Sequence, residues 1–194
     1  MNGGARILVV AATARELAPA DGWLSLACGA GPVESAIATG AAIATLRPAA
    51  VLHVGIAGAR RSAALPAASL VIGREARYCD LAVPEAWAPH IVPADATLLA
   101  AAQHAFPSAP LLTIGTSARV GGTTGCDVEA MEGFGVLRAA QQAGIPALEV
   151  RAVSSEIEEP DRARWHFDAA FAAITAATPP LVAAITRSQQ TCAR

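Results

Sequence analysis

Acidic residues are scarce in this apolar chain, and one group of them stands where side chains could do chemistry. Residues 125–144 read GCDVEAMEGFGVLRAAQQAG and place Asp127, Glu129 and Glu132 around Met131. The pattern predicts a helix start, where the helix macrodipole favours negative charge and accounts for one or two of the three. A carboxylate can also accept hydrogen bonds from two neighbouring hydroxyls or act as a general base, which leaves a chemical role open for the third.

The remaining side chains that could do chemistry are scattered. Glu16 follows Arg15 beyond the apolar run ILVVAATA, where it is compatible with a solvated residue at a helix start. The cysteines and histidines show neither CxxC nor ligand spacing, so we expect no metal and no cofactor. We expect reduced, structural thiols at Cys28, Cys79, Cys126 and Cys192.

Composition excludes several classes of partner. The chain has 194 residues, which suits one domain (1–194), and it is 54% hydrophobic and 15% charged with a net charge of −2. This balance gives no basic face for nucleic acid. No apolar run reaches the ~18 residues of a membrane helix, and ILVVAATA reads as a buried strand rather than a signal peptide. We therefore expect a cytoplasmic protein without nucleic-acid or membrane partners.

Short apolar runs alternate with alanine-rich helical runs, which is typical of an α/β sheet flanked by helices. The strand runs lack polar alternation, so we expect both faces of the sheet to be covered. The predicted strands are 7–11, 51–54, 70–72, 111–114 and 147–153. The predicted helices are 33–46, 96–105, 131–143 and 167–187.

Glycines stand where the predicted strands end, in CGAG (28–31), HVGIAGA (53–59) and TIGTSARVGG (113–122). Ligands of open α/β sheets bind beyond the carboxyl ends of the strands, where glycine permits close approach. The segment GAGPVES does not complete the GxGxxG spacing, since its sixth residue is Ser35, and no acidic residue follows at the expected distance. A dinucleotide site is therefore disfavoured.

Six segments, taken in order, resemble the nucleoside phosphorylase and nucleosidase superfamily. They are RILVVAATARELAP, ACGAGPVESAIATGAA, VLHVGIAGA, LVIGREARYCD, VEAMEGFGVLRAAQQAGIPALEVRAVSS and PDRARWHFDAAFAAI. The likeness covers nearly the whole chain and is greatest to the hydrolytic branch, namely methylthioadenosine/S-adenosylhomocysteine nucleosidases and futalosine hydrolases. It implies a three-layer α/β/α sandwich with a mixed, partly closed central sheet, and a homodimer or higher homo-oligomer in which a neighbour completes the site.

The resemblance also implies a purine nucleoside as the small-molecule partner and assigns roles to single residues. Glu16 falls on the glutamate that positions and deprotonates water, and Glu132 on the one that accepts hydrogen bonds from the ribose 2′- and 3′-hydroxyls. Met131 matches a methionine packed on the sugar, although plain core filling also explains it. Asp127 and Glu129 match nothing in the family and are expected to be surface or capping residues.

Ser155 in RAVSS departs from the family pattern at the residue that assists the leaving purine. The methylthioadenosine nucleosidases have aspartate there and futalosine hydrolases typically asparagine. A serine hydroxyl donates a hydrogen bond but is a poor proton donor near neutral pH. This disfavours adenine and favours a 6-oxopurine such as hypoxanthine, which leaves more readily as an anion. Glu156 is an alternative acid.

Further matches surround the expected sugar and its 5′ side. An arginine in DRARW could meet a substrate carboxylate, although a surface arginine beside a capping Asp161 is equally compatible. The residues expected to contact substrate are Ala30, Ala57, Gly58, Val83, Met131, Arg162, Trp165 and Phe167.

Two further departures concern the nucleophile and the purine pocket. Ile56 replaces the small hydroxyl residue of the family's GSAG turn, and the phosphate-binding loop of phosphorylases is missing, so water is the expected nucleophile. The region before VEAMEG is short and has no aromatic between Phe106 and Phe134. The resemblance thus implies hydrolysis of futalosine to hypoxanthine in menaquinone biosynthesis. The alternatives are a methylthioadenosine/S-adenosylhomocysteine nucleosidase, or a nucleoside-binding protein with impaired catalysis.

Overall fold

The structure is a computed structural model that describes residues 6–123 and 125–192. Strands and helices alternate along these residues. The strands are β1 Ile7–Ala11, β2 Leu24–Ala27, β3 Ala50–Ala59, β4 Leu70–Tyr78, β5 Ile91–Pro93, β6 Leu111–Thr116, β7 Val128–Ala130 and β8 Ala147–Glu156. The helices are α1 Pro32–Leu46, α2 Ala96–Ala105, α3 Gly133–Gln142 and α4 Phe167–Cys192.

All strands of the described residues join one mixed sheet that is partly closed on itself. The order runs β2-β1-β3-β7-β6-β4-β5, and β8 pairs with both β3 and β4. The strands β3, β7, β6, β4 and β8 therefore form a closed ring, from which β1 and β2 extend on one side and β5 on the other. Val71, Ile114 and Val128 belong to a buried apolar cluster of these ring strands.

Apolar clusters fill the space between the sheet and the helices on both of its faces. Leu98 of α2 and Leu181 of α4 belong to one cluster with residues of β1, β3 and β8. On the other face, Ile43 of α1 and Leu137 of α3 pack with Leu8 and other strand residues. The three-layer α/β/α arrangement with a mixed, partly closed sheet confirms the fold expected from the sequence.

The strands extend further than their apolar runs. The bounds predicted for β1 and α2 are confirmed, but β3 continues through GIAGA, β4 through REARY and β8 through SSE. These glycine and polar segments remain paired with neighbouring strands of the ring: GIAGA with β7 and β8, REARY with β6, and SSE with β3. Strands β2, β5 and β7 have only three or four residues, too few for a hydrophobic period to be recognised.

Helix α4 is long and apolar enough, by length and composition, to cross a membrane over Phe167–Gln190. Its apolar face is nevertheless part of the core, since Ala170, Ile174, Leu181 and Ile185 are each 0% exposed. A buried core helix has the same composition as a membrane span. The packing therefore accounts for the apolar character of α4 within the protein.

Candidate active site

A small cavity lies where β1, β3 and β8 end and where the segment between β7 and α3 begins. Its volume is about 150 Å³. Its lining includes most of the residues predicted to be functional: Glu16, Ala57, Gly58, Met131, Glu132, Ser155 and Trp165. The position agrees with the general rule that ligands of α/β sheets bind beyond the carboxyl ends of the strands.

Glu16 is held by a tight turn that follows β1. Its Oε2 accepts hydrogen bonds from the Thr13 backbone N–H (2.8 Å) and the Thr13 hydroxyl (2.9 Å). Its Oε1 accepts from the backbone N–H of Ile56 at 3.2 Å. Only 4% of Glu16 is exposed, so it is not the solvated helix-start residue that its sequence position alone would allow. A carboxylate fixed in this way faces the cavity with a defined orientation.

Glu132 occupies the residue before the first turn of α3 and is 5% exposed. Its Oε1 accepts from the backbone N–H of Gly31 at 3.2 Å, and its Oε2 from Arg151 Nη2 at 3.2 Å. Gly31 has a φ of 93°, a conformation that favours glycine, and this turn aims its N–H at the carboxylate. The lining of the cavity therefore contains a second fixed carboxylate besides Glu16.

Arg151 lies beneath both carboxylates and is 1% exposed. Its guanidinium donates to Glu149 Oε1 at 2.8 Å, to His53 Nε2 at 2.5 Å and to Glu132 Oε2 at 3.2 Å. Nη1 also donates to the Ile56 carbonyl at 3.3 Å, so the backbone of Ile56 contacts Arg151 through its carbonyl and Glu16 through its N–H.

Burial and neighbouring charges shift the pKa values of Glu149, His53 and Arg151. Burial raises the pKa of Glu149, and the positive charge of Arg151 opposes that rise. Burial lowers the pKa of His53 well below its usual value, and Arg151 lowers it further, so the ring is neutral and accepts from Arg151. Burial also lowers the pKa of Arg151, but the charges of Glu149, Glu132 and Glu16 outweigh this and raise it. Arg151 is therefore a permanent cation.

Gly55 leaves the space that Arg151 and Glu16 need. A Cβ at this residue would lie against Arg151 Nη1 and 2.9 Å from Glu16 Oε1. We expect Gly55→Ala to displace both side chains, lowering the free energy of unfolding by about 1–3 kcal/mol, as overpacking does. It should also lower any activity of the site more than tenfold.

Denaturant unfolding and a kinetic assay measure the two effects of Gly55→Ala. The matched control is Gly40→Ala in α1, where a Cβ meets nothing within 4 Å. Because glycine is a poor helix former, this control should gain about 0.5–1 kcal/mol and retain activity. Equal behaviour of the two variants would contradict the assignment of Gly55 as the space for Arg151.

Ser155 lies beside Gly58 at a bulge where the pairing of β3 with β8 shifts. Its hydroxyl is 3.5 Å from that of Ser154, whose own Oγ donates to the Ala57 carbonyl at 3.1 Å. Because the Ser154 proton is directed at Ala57, Ser155 is the donor in this long contact, and its hydroxyl can rotate to donate to a ligand in the cavity that it lines. Glu156 lines the cavity too, but its Oε2 accepts from Arg61 Nε at 2.8 Å, so it is engaged in an ion pair.

The prediction that Glu129 is a surface or capping residue of a helix is wrong. Residues 128–130 form β7, and α3 starts only at Gly133, while Glu129 is 5% exposed and lines the cavity. Its carboxylate accepts from the Gly121 N–H, the Thr123 N–H and the Thr123 hydroxyl, and so anchors the preceding loop. Asp127 is exposed, in agreement with the sequence.

Trp165 connects the cavity to a second depression of about 490 Å³ that is lined by Arg15, Arg162, Phe167 and Asp168. The Arg162 guanidinium lies over the Trp165 ring at 5.4 Å, and the rings of Trp165 and Phe167 are 5.4 Å apart. The three residues predicted for the 5′ side are therefore neighbours. Ala30 and Val83 are not part of the lining of either space, although Ala30 precedes the Gly31 that binds Glu132.

Residues 6–123 and 125–192 contain no group of three or more His, Cys, Asp or Glu side chains that could hold a metal ion. The Cys28 thiol is buried and interacts electrostatically with Glu132 and Arg151. Burial, followed by the charge of Glu132, raises its pKa to about 12, so it stays protonated at neutral pH.

Sequence reasoning missed the buried layer of His53, Glu149 and Arg151. A signal for it exists, because Glu149 and Arg151 interrupt a run, ALEVRAV, that otherwise reads as a strand covered on both faces. Charged residues are almost never fully buried unless they are paired. Two opposite charges spaced two residues apart on one face of such a strand therefore indicate a buried ion pair.

The chain belongs to the phosphorylase superfamily, whose family model matches residues 23–187. A futalosine hydrolase from Streptomyces coelicolor is 35% identical over 189 residues, which cover 83% of this chain and 79% of that protein. These two findings confirm the resemblance expected from the sequence.

Solved structures share the fold at lower identity. A methylthioadenosine/S-adenosylhomocysteine nucleosidase from Colwellia psychrerythraea, in complex with adenine, superposes with a TM-score of 0.80 at 18% identity, over 93% of this chain and 96% of that one. The futalosine hydrolase of Helicobacter pylori gives a TM-score of 0.79 at 16% identity, over 93% and 98%.

Proposed function

We propose that this protein hydrolyses the N-glycosidic bond of a purine nucleoside, with futalosine as the substrate and hypoxanthine as the released base, in menaquinone biosynthesis. The observation that carries the proposal is that two buried, hydrogen-bonded carboxylates, Glu16 and Glu132, line one cavity together with the hydroxyl of Ser155. The 35% identity with a futalosine hydrolase supports the choice of substrate.

Glu16 acts in this proposal as the general base that takes a proton from the attacking water. Its Oε2 is occupied by Thr13, and its Oε1 is the oxygen beside the Ile56 peptide. Water rather than phosphate is the nucleophile, because the apolar Ile56 side chain lines the cavity where a hydroxyl would be needed to hold phosphate. The proton leaves water as the oxygen bonds to the sugar C1.

Glu132 binds the ribose. Its carboxylate accepts hydrogen bonds from the 2′- and 3′-hydroxyls, and its negative charge stabilises the positive charge that develops on the sugar as the glycosidic bond breaks. Met131 packs on the sugar from the same segment, while Ala57 and Gly58 leave room for it on β3. The hydrogen bond from Arg151 to Glu132 Oε2 fixes the orientation of the Glu132 carboxylate.

Ser155 assists the departing base as a hydrogen-bond donor. Since hypoxanthine can leave as an anion, a donor suffices and a strong acid is not required. Ser155→Ala should lower kcat about tenfold, the effect of losing one hydrogen bond of about 1.4 kcal/mol. Ser155→Asp should instead raise the rate with adenine nucleosides relative to hypoxanthine nucleosides, because an acid helps adenine most.

Steady-state kinetics with one nucleoside of each base measure the effects of the two Ser155 variants. A Ser155→Ala variant with unchanged kcat on both bases would remove Ser155 from the mechanism. The control is Ser154→Ala, whose hydroxyl already donates within the protein and should matter less to the choice of base.

The 5′ group of the substrate extends past Trp165 into the depression lined by Arg162 and Phe167. Arg162 has no carboxylate partner among the residues that the structure describes, which leaves its charge available for an acidic 5′ group. Ala30 and Val83 would contact the substrate only if the substrate reaches beyond the two spaces described above, or if a second subunit enlarges the site. The protein would act as a single-domain, cytoplasmic homodimer or higher homo-oligomer in which a neighbour completes the site.

A methylthioadenosine/S-adenosylhomocysteine nucleosidase is the second candidate, because solved proteins with that activity share the fold. Chromatographic detection of the free base released from futalosine, methylthioadenosine and inosine distinguishes the two candidate activities. Hypoxanthine from futalosine supports the proposal, and adenine from methylthioadenosine alone would replace it by the second candidate. Binding of all three nucleosides without release of base would indicate a nucleoside-binding protein instead.

A further inference from the structure

Glu149 is the carboxylate of the buried layer formed by His53, Glu149 and Arg151. It does not line the cavity, but it binds Arg151, which does. It is 0% exposed, and its Oε1 accepts from Arg151 Nε at 2.8 Å, the shorter of the two contacts that Arg151 makes to carboxylates. Its Oε2 has no hydrogen-bond partner within the described parts of the chain. Burying such a group is costly, so a purely structural role explains it poorly.

Neighbouring residues fit around Glu149 closely. A Cβ at Gly133, the first residue of α3, would overlap the Glu149 carboxylate. The absence of a side chain at Gly133 therefore leaves the space that this carboxylate fills. Glu132, the residue before Gly133, carries the ribose-binding carboxylate of the proposed function. Glu149 thus contacts the active-site segment twice, through the packing at Gly133 and through Arg151.

Three hydrogen bonds besides that to Glu132 set the orientation of Arg151. Glu149 takes Nε, the Ile56 carbonyl takes Nη1 and His53 takes Nη2. The neutral His53 ring donates from Nδ1 to the Val10 carbonyl at 3.0 Å, and burial lowers its pKa, so its Nε2 can only accept from Arg151. Glu149 is therefore the only charged group of the three, and it competes with Glu132 and Glu16 for the positive charge of Arg151.

We propose that Glu149 is a positioning residue for the hydrolysis: it fixes Arg151 and offsets part of its positive charge, so that Glu132 keeps its orientation and its negative charge acts on the sugar rather than on Arg151. This inference rests on the proposed function of the same site. Without Glu149, the charge of Arg151 would fall on Glu132 and Glu16 alone and weaken both as acceptors toward ribose and water.

The groups that face Glu149 are Arg151 on its own strand, His53 on the paired strand β3 and Glu132 at the start of α3, while β4 presents the backbone of Gly73. Because burial raises its pKa, Glu149 takes up a proton before an exposed carboxyl does as the pH falls. Protonated Glu149 is neutral and no longer offsets the positive charge of Arg151. We therefore expect the protonation of Glu149 to contribute to the fall of kcat/KM at low pH.

Glu149→Gln tests the inference, since the amide oxygen still accepts from Arg151 Nε but the charge is lost. We expect kcat/KM at neutral pH to fall about tenfold, with the acid limb moved to lower pH because one ionisation is gone. Glu149→Leu removes the acceptor as well and should lose at least a hundredfold. The matched control is Glu75→Gln on β4, whose Oε1 accepts from Thr113 away from the cavity and which should keep the wild-type profile.

Thermal unfolding shows whether the variants are folded. Folded variants with the kcat/KM and pH profile of the wild type would overturn the inference while leaving the proposed function intact. A wild-type protein that hydrolyses no nucleoside would instead overturn the proposed function. If neither variant folds, carboxyl ¹³C NMR of the wild type decides. Addition of ribose, the sugar product of inosine hydrolysis, must shift the titration of Glu149 besides those of the three buried glutamates that line the cavity, Glu16, Glu129 and Glu132, and no such shift would overturn the inference.

Discussion

Replacing Glu16 by glutamine is expected to lower kcat about 10²–10⁴-fold while nucleoside binding remains within a few-fold of the wild type. The amide retains the size of the carboxylate, and its oxygen can still accept from the Thr13 N–H and hydroxyl, so the turn after β1 should keep its shape while the Ile56 N–H loses its acceptor. What is lost is the base that removes a proton from water. The loss should appear in kcat rather than in KM, because the base acts only in the transition state.

Isothermal titration with nucleoside and steady-state release of base measure the two properties of Glu16→Gln. Glu34→Gln is the control, since Glu34 is exposed in the first turn of α1 and should behave as the wild type. A Glu16→Gln variant with the kcat of the wild type would show that another group activates water. If the wild type also fails to turn over and both proteins bind alike, the site is a binding site.

Glu132→Gln is the second change with a large expected effect. Its carboxylate would lose two charge-assisted hydrogen bonds to the ribose, and each contributes about 1.5–3 kcal/mol. Because about 1.4 kcal/mol corresponds to a factor of ten, kcat/KM should fall about 10²–10⁴-fold. The amide oxygen can keep the Gly31 N–H as its donor, while Arg151 loses its acceptor at Glu132 but keeps those at Glu149, Ile56 and His53. The start of α3 should therefore remain folded.

A 2′-deoxynucleoside provides the internal control for Glu132→Gln. The wild type should prefer the ribonucleoside strongly, and the variant should have lost most of this preference, because the 2′-hydroxyl is one of the two groups that Glu132 binds. Measuring kcat/KM for inosine and 2′-deoxyinosine with both proteins gives the comparison. A variant that keeps the full preference would place the ribose elsewhere in the cavity.

Much of the fold follows from local patterns in the sequence. The runs at 7–11 and 96–105 gave the bounds of β1 and α2 because a strand covered on both faces is apolar throughout, and α2 starts at a capping Asp95. Strand β7 was missed, and with it the burial of Glu129, because three residues show no period and the preceding carboxylates suggested a helix start.

The sequence predicted residues that line the cavity, but not the buried residues that pack behind them. Glu16 and Glu132 were found through the family resemblance, and both line the cavity. The layer beneath them depends on residues almost a hundred positions apart, since His53 and Arg151 meet only when β3 pairs with β8. Such contacts are set by the register of the sheet, which a local pattern does not encode.

Release of hypoxanthine from futalosine by the wild-type protein, with and without phosphate, tests the central claim most directly. Chromatography should show hypoxanthine at the same rate in both buffers and a free sugar as the second product, because water attacks with the help of Glu16. A rate that requires phosphate, with a sugar 1-phosphate as the product, would contradict a hydrolase, and absence of hypoxanthine would contradict futalosine as the substrate.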